Sequence, residues 1–91
     1  MALTPKGKQQ LKARAHHLKP VVLLGQHGLT EAVLKEIDIA LSAHELIKVK
    51  FATTDREARL AAFASMCDTL KADCVQTIGN IVILFRRKEE K

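Results

Sequence analysis

The run at residues 19–30, Lys-Pro-Val-Val-Leu-Leu-Gly-Gln-His-Gly-Leu-Thr, fixes three things at once. Residues 21–24 are four consecutive apolar side chains entered through Pro20, a pattern that predicts a strand covered on both faces, as in a parallel sheet. Gly25 and Gly28 then bracket two polar residues, Gln26 and His27. Thr30 follows as a helix N-cap, its hydroxyl placed to accept from a first-turn amide. A strand, a glycine-flanked loop and a helix start in this order aim backbone N–H groups and the positive end of a helix dipole at one point, which suits a phosphate. The two glycines permit close approach of a bulky ligand to the backbone. The same residues also suit an ordinary strand-to-helix turn in which glycine serves backbone geometry alone.

Charge placement separates these readings better than the loop does. The net charge is +5, and no acidic residue precedes Glu31. Lys6, Lys8, Lys12, Arg14 and Lys19 lie in that acid-free stretch, while the rest of the chain carries ten basic and ten acidic residues and is neutral overall. The whole excess thus sits on the first helix and the approach to the loop. A solubilising surface usually mixes both signs, so a one-sided basic segment favours a polyanionic partner.

The remaining elements follow in order. Thr4 caps and Pro5 opens a first helix that ends at His16 and His17, with Leu11, Ala15 and Leu18 as its apolar stripe. Neither histidine has a second ligand at metal spacing, which leaves a C-terminal cap or a phosphate contact. A second helix is predicted over 30–42, with Val33, Ile37, Ala40 and Leu41 on its buried side and Leu34 adjoining. A strand over 45–52 alternates Ile47, Val49 and Phe51 with Leu46, Lys48 and Lys50, one face in the core and lysines opposite. The residues 54–57 form a capping-box pattern, Thr54 as N-cap and Glu57 reaching back, for a third helix running to about Lys71. Its buried face is predicted at Leu60, Phe63, Ala64, Cys67 and Leu70. Strands over 74–78 and 81–85 flank a Gly79-Asn80 turn and pair antiparallel, and a charged tail follows. Right-handed crossovers place the second and third helices on one face. The fold class is α/β of the two-layer α+β type, α-β-α-β-α-β-β with a four-stranded mixed sheet. Residues 1–88 are read as one domain and 89–91 as a tail.

The run at 11–22, continued by Gly25-Gln26-His27-Gly28-Leu29-Thr30, resembles the CRM domain (chloroplast RNA splicing and ribosome maturation). So do the stretch 44–50 and Gly79 followed by a hydrophobic strand ending in Arg86. The resemblance covers almost the whole length. It implies an RNA-binding domain without catalytic activity, folded like the C-terminal domain of translation initiation factor three. Its GxxG loop is similar to the loop with which KH domains clamp an RNA backbone, which places Gly25, Gln26, His27 and Gly28 at the RNA. The bacterial single-domain members imply a role on precursors of the large ribosomal subunit, hence ribosomal RNA as partner.

Composition agrees on the chemistry. There is no Trp or Tyr, and the three Phe residues occupy positions that read as core. Without exposed aromatics to stack bases, recognition rests on phosphate and shape. The RNA-binding residues expected are Lys12, Arg14, Lys19, Gly25, Gln26, His27, Gly28 and Thr30, with Lys48, Lys50 and Arg86 extending the patch along the sheet; for those last three a solvated strand face and tail is the alternative. No cofactor, metal, membrane or small-molecule substrate is expected, and the protein is expected to be a cytoplasmic monomer. No export signal is visible, and Cys67 and Cys74, lacking zinc-site spacing, are read as reduced, buried small residues. An enzyme would need a nucleophile motif or paired carboxylates, and a nucleotide-type phosphate loop would need Lys-Ser/Thr where Leu29-Thr30 stand. The rival reading is a protein-binding adaptor that docks its basic first helix on an acidic partner.

Overall fold

The computed structural model describes residues 4–25, 28–53 and 55–87. The elements are α1 (Pro5–Ala15), β1 (Val22–Leu24), α2 (Glu31–His44), β2 (Leu46–Phe51), α3 (Arg56–Leu70), β3 (Asp73–Ile78) and β4 (Ile81–Phe85). The four strands form one sheet in the order β1-β2-β4-β3. β1 pairs parallel with β2, and β4 pairs antiparallel with both β2 and β3.

Local chemistry accounts for the helix starts. The Thr4 Oγ1 accepts from the Gly7 amide at 3.0 Å with Pro5 at the first position of α1, and the Thr30 Oγ1 accepts from the Val33 amide at 3.2 Å at the start of α2. The cap of α3 is Asp55 rather than Thr54: one Asp55 oxygen accepts from the amides of Glu57 and Ala58 at 3.0 and 3.3 Å. A carboxylate there gains both hydrogen bonds and the helix dipole, which outweighs the capping-box pattern one residue earlier. Thr54 itself lies outside the described residues.

Two clusters divide the core between the sheet faces. Val22, Leu24, Ile47, Val49, Phe51, Val82 and Leu84 face Ile37 and Leu41 of α2 and Phe63 and Met66 of α3. Leu46, Val75 and Ile83 point the other way, against Leu11 and Ala15 of α1. α2 and α3 therefore share one face, and α1 covers part of the other. The Leu46 side of β2 is thus not a solvated lysine face throughout, since Leu46 is buried.

Two further expectations are corrected. β1 is not covered on both faces: it is an edge strand with Val22 and Leu24 buried and Val21 and Leu23 exposed. The buried face of α3 centres on Phe63 and Met66, while Leu60 and Ala64 are exposed. α3 is rich in alanine, so its apolar stripe is weakly marked and a phase shift of one position changes little in the pattern.

Candidate nucleic-acid interface

The glycine loop leaves β1 at its C-terminal end. Leu24 is held to the sheet by its carbonyl, which accepts from the Ala52 amide at 3.0 Å. The Gly28 amide then donates to the Gly25 carbonyl at 3.0 Å. Gly28 has φ +68°, the left-handed region where a side chain is strained, and a Cβ there would meet the Phe51 ring at 3.5 Å. At Gly25 nothing beyond its chain neighbours lies within 4 Å of where a Cβ would stand, so that side of the residue is open. Gln26 and His27 lie outside the described residues. The helix dipole of α2 brings partial positive charge to this point, and the exposed Glu31 carboxylate in the first turn offsets part of it.

Most of the expected basic residues share the side of the sheet that carries α1. Lys12 and Arg14 are exposed on α1. Arg14, Leu18, Lys19, Val21, His44 and Leu46 line an open groove of about 410 Å³ with Ile47, which brings Arg14 and Lys19 together at the start of β1. Lys19 therefore stands at the opposite end of β1 from the loop rather than beside it. The two are joined by the open part of the sheet face. There the Val21 amide donates to the Lys48 carbonyl at 3.0 Å, and Leu23 is the register partner of Lys50. Lys48 is half-buried and Lys50 exposed.

Arg86 does not join this surface. Its Nη1 donates to Asp38 Oδ1 at 2.7 Å and to the Leu70 carbonyl at 3.2 Å, and its Nη2 donates to the Asp38 carbonyl at 3.0 Å and Ser42 Oγ at 2.9 Å. The guanidinium clasps the end of β4 to α2 and α3 on the far face, leaving little of its donor capacity for a ligand.

The thiols also depart from expectation. Cys67 is half-buried, but Cys74 is exposed. They meet because the Ala72 amide bonds back to the Cys67 carbonyl at 2.9 Å, turning the chain from α3 into β3. A hydrogen bond from the Cys67 thiol brings Cys74 down to about 6, helped by Thr77, whose Oγ1 is 3.7 Å from the sulfur, and by the charge of Lys8. The same bond, with burial, pushes Cys67 up. Among the described residues no group of three or more His, Cys, Asp or Glu side chains could hold a metal, and no helix is long and apolar enough to cross a membrane.

Sequence reasoning missed Val21 and Leu23 as surface residues and His44 as part of the Arg14 groove. For β1 a signal existed: Pro20 at the entry and a run of only four residues both mark an edge strand. For His44, at the end of α2, no local pattern carries the information.

Comparison with known proteins places this arrangement. The chain is 54% identical over 88 residues to a Haemophilus influenzae protein named RNA-binding protein, covering 97% of this chain and 89% of that one. It is 46% identical over 87 residues to a Pseudomonas aeruginosa protein named as a probable RNA-binding protein, covering 96% and 84%. The solution structure of the Staphylococcus aureus protein SAV1595 superposes with a TM-score of 0.84 at 29% identity, covering 98% of this chain and 93% of that one. The family model of the CRS1 / YhbY (CRM) domain matches residues 3–86, so the chain belongs to that family.

Proposed function

We propose that this protein binds structured RNA, gripping its phosphate backbone with the loop at 25–28 and the basic surface of α1, in assembly of the large ribosomal subunit in the cytoplasm. The observation that carries the reading is the run of exposed cations, Lys12, Arg14, Lys19 and Lys50, on one side of the sheet, continued to the open side of Gly25. Such a surface attracts a polyanion and releases its counterions, while fixing position rather than reading bases. The names of the family relatives support RNA as that polyanion. No catalytic step is assigned; the role is binding by a monomer.

The test is RNA affinity across a salt series, with sedimentation of the protein from cell lysate before and after nuclease treatment. Affinity is expected to fall by about 0.7–0.9 log units per log unit of salt for each phosphate contacted. The protein is expected to leave the large particles when RNA is digested. A flat salt response with nuclease-resistant complexes assigns α1 to an acidic protein partner instead.

A further inference from the structure

The part of the sheet that α1 leaves uncovered carries an ordered row of side chains. Leu23 of β1 is the register partner of Lys50 of β2, Lys50 of Ile81 of β4, and Ile81 of Ile78 of β3. Partners on one rung project to one face, so the four side chains cross the whole sheet, a width of about 14 Å. Leu23 is 58% exposed and Ile78 51% exposed; Lys50 is exposed and Ile81 half-buried. Val21, 53% exposed, adds a second apolar side chain beside Leu23. The row begins two residues before Gly25, where the loop starts. We infer that this row is a platform for unpaired nucleotides, their bases lying on Leu23, Ile81 and Ile78 while Lys50 holds a phosphate. The inference rests on the proposed RNA binding and specifies which RNA.

The chemistry selects the occupant. Aliphatic side chains offer nothing to the phosphates that line the outside of a duplex. They gain by shedding water only against the flat faces of bases, which a duplex buries in its own stack. The lysine within the row and the exposed cations of α1 on the same side of the sheet give the charge complementarity that a nucleic-acid strand requires. Asp73, a carboxylate of β3, pairs with Phe85, four residues along β4 from Ile81 and so about 13 Å away. A second copy of this chain fits poorly, because a two-fold contact centred on the row would cover Lys50 of each copy with an apolar side chain or with its own equivalent, and the row holds no carboxylate to pair it. A four-stranded sheet face of this width accommodates about two or three bases. Bases therefore have a resting place even though no aromatic side chain is exposed there.

The experiment compares two RNAs, an unpaired oligomer of about 12 nucleotides and a blunt duplex of about 20 base pairs, by fluorescence anisotropy. The variants are the wild type and the double substitution Leu23→Ser with Ile78→Ser. The double variant is expected to lose about tenfold in affinity for the unpaired oligomer and to keep its affinity for the duplex. Both positions are exposed, so the fold should hold; methyl NMR on the wild type gives a readout that does not depend on it. The signals of Leu23, Ile78 and Ile81 are expected to shift on adding the oligomer. Unchanged oligomer affinity in a folded double variant, or unmoved methyl signals in a wild type that binds, overturns the platform and leaves the phosphate-binding proposal standing. Wild type that binds the duplex alone does the same. Wild type that binds neither RNA overturns both. Concentration-dependent dimerisation that the double variant abolishes without changing RNA affinity assigns the row to a second copy and overturns the platform.

Discussion

Arg86 carries a full charge and is still poorly placed to bind an external anion. Its guanidinium already donates to Asp38, Leu70 and Ser42. The Asp38 carboxylate is half exposed, which limits the ion pair itself, and the further hydrogen bonds to the Asp38 and Leu70 carbonyls and the Ser42 hydroxyl add to the hold of β4 on α2 and α3. Arg86→Ala is expected to lower unfolding free energy by about 1–3 kcal/mol in urea titrations and to leave RNA affinity unchanged; reduced affinity in a stably folded variant would return Arg86 to the interface. The two loop glycines should separate in the opposite way. Gly28→Ala forces a side chain into φ +68° and should cost about 1–2 kcal/mol of stability. Gly25→Ala meets open space and should change stability by less than about 0.5 kcal/mol, while weakening RNA by about tenfold if the backbone touches phosphate. Cys74 gives a pH test. Its thiol is lowered to about 6, so the reactive thiolate predominates above that pH and is lost as pH falls through it. Alkylation of Cys74 by iodoacetamide, followed by mass spectrometry, should plateau near neutral pH instead of climbing towards pH 9. Cys67→Ala, which removes the donor, should move the midpoint upward. At this scale the sequence is legible wherever a feature is local. Thr4 and Thr30 cap as expected because cap and partner lie three residues apart, and Gly79 opens its turn with φ +56°. The partners of Arg86 are 16 to 48 residues distant, and nothing in its own neighbourhood announces them.

At the scale of the element, α1 combines two roles that sequence could assign only in part. Its buried residues, Leu11 and Ala15, are one turn apart and were readable as a stripe, although Leu18, read as the third member, lies past the helix end and is exposed; which sheet face they cover was not readable. Its exposed residues include Lys12 and Arg14. Lys12→Ala and Arg14→Ala should each weaken every RNA to a similar degree and reduce the salt slope by about one, with melting temperature unchanged. Anisotropy on two unrelated RNA sequences checks this: a change in preference between them with an unaltered slope would make the residue a base reader. β1 shows the limit of reading from hydrophobicity alone. Four apolar residues in succession fit a strand buried on both faces, yet only alternate ones are buried, because α1 stops short of this part of the sheet. Coverage of a strand is decided by an element elsewhere in the chain. In α3, Met66 is buried and Leu60 exposed for a related reason: with alanine on several sides of the helix, contact with β3 and α2 sets its rotation.

For the molecule as a whole, the strand order β1-β2-β4-β3 puts β4 between two neighbours. Val82, Ile83 and Leu84 are all buried, Ile83 against α1 and the other two towards α2 and α3. Leu84→Ala should cost about 2–5 kcal/mol by urea unfolding, a large share of the roughly 5–15 kcal/mol that a domain possesses. The mixed sheet and its helix crossovers were legible because element order and the Gly79-Asn80 turn restrict the topology; the insertion of β4 beside β2 depends on pairings across more than thirty residues and was not. That insertion has a consequence for synthesis on the ribosome. β4 follows the other three strands in the chain, so when β1, β2 and β3 have emerged, β2 and β3 still lack the strand that joins them. The apolar faces of α1, α2 and α3 must wait for residues 81–85 before either core cluster can close. Folding during translation should therefore be a late, concerted event, and a nascent chain stalled before Ile81 should remain sensitive to protease along its whole emerged length.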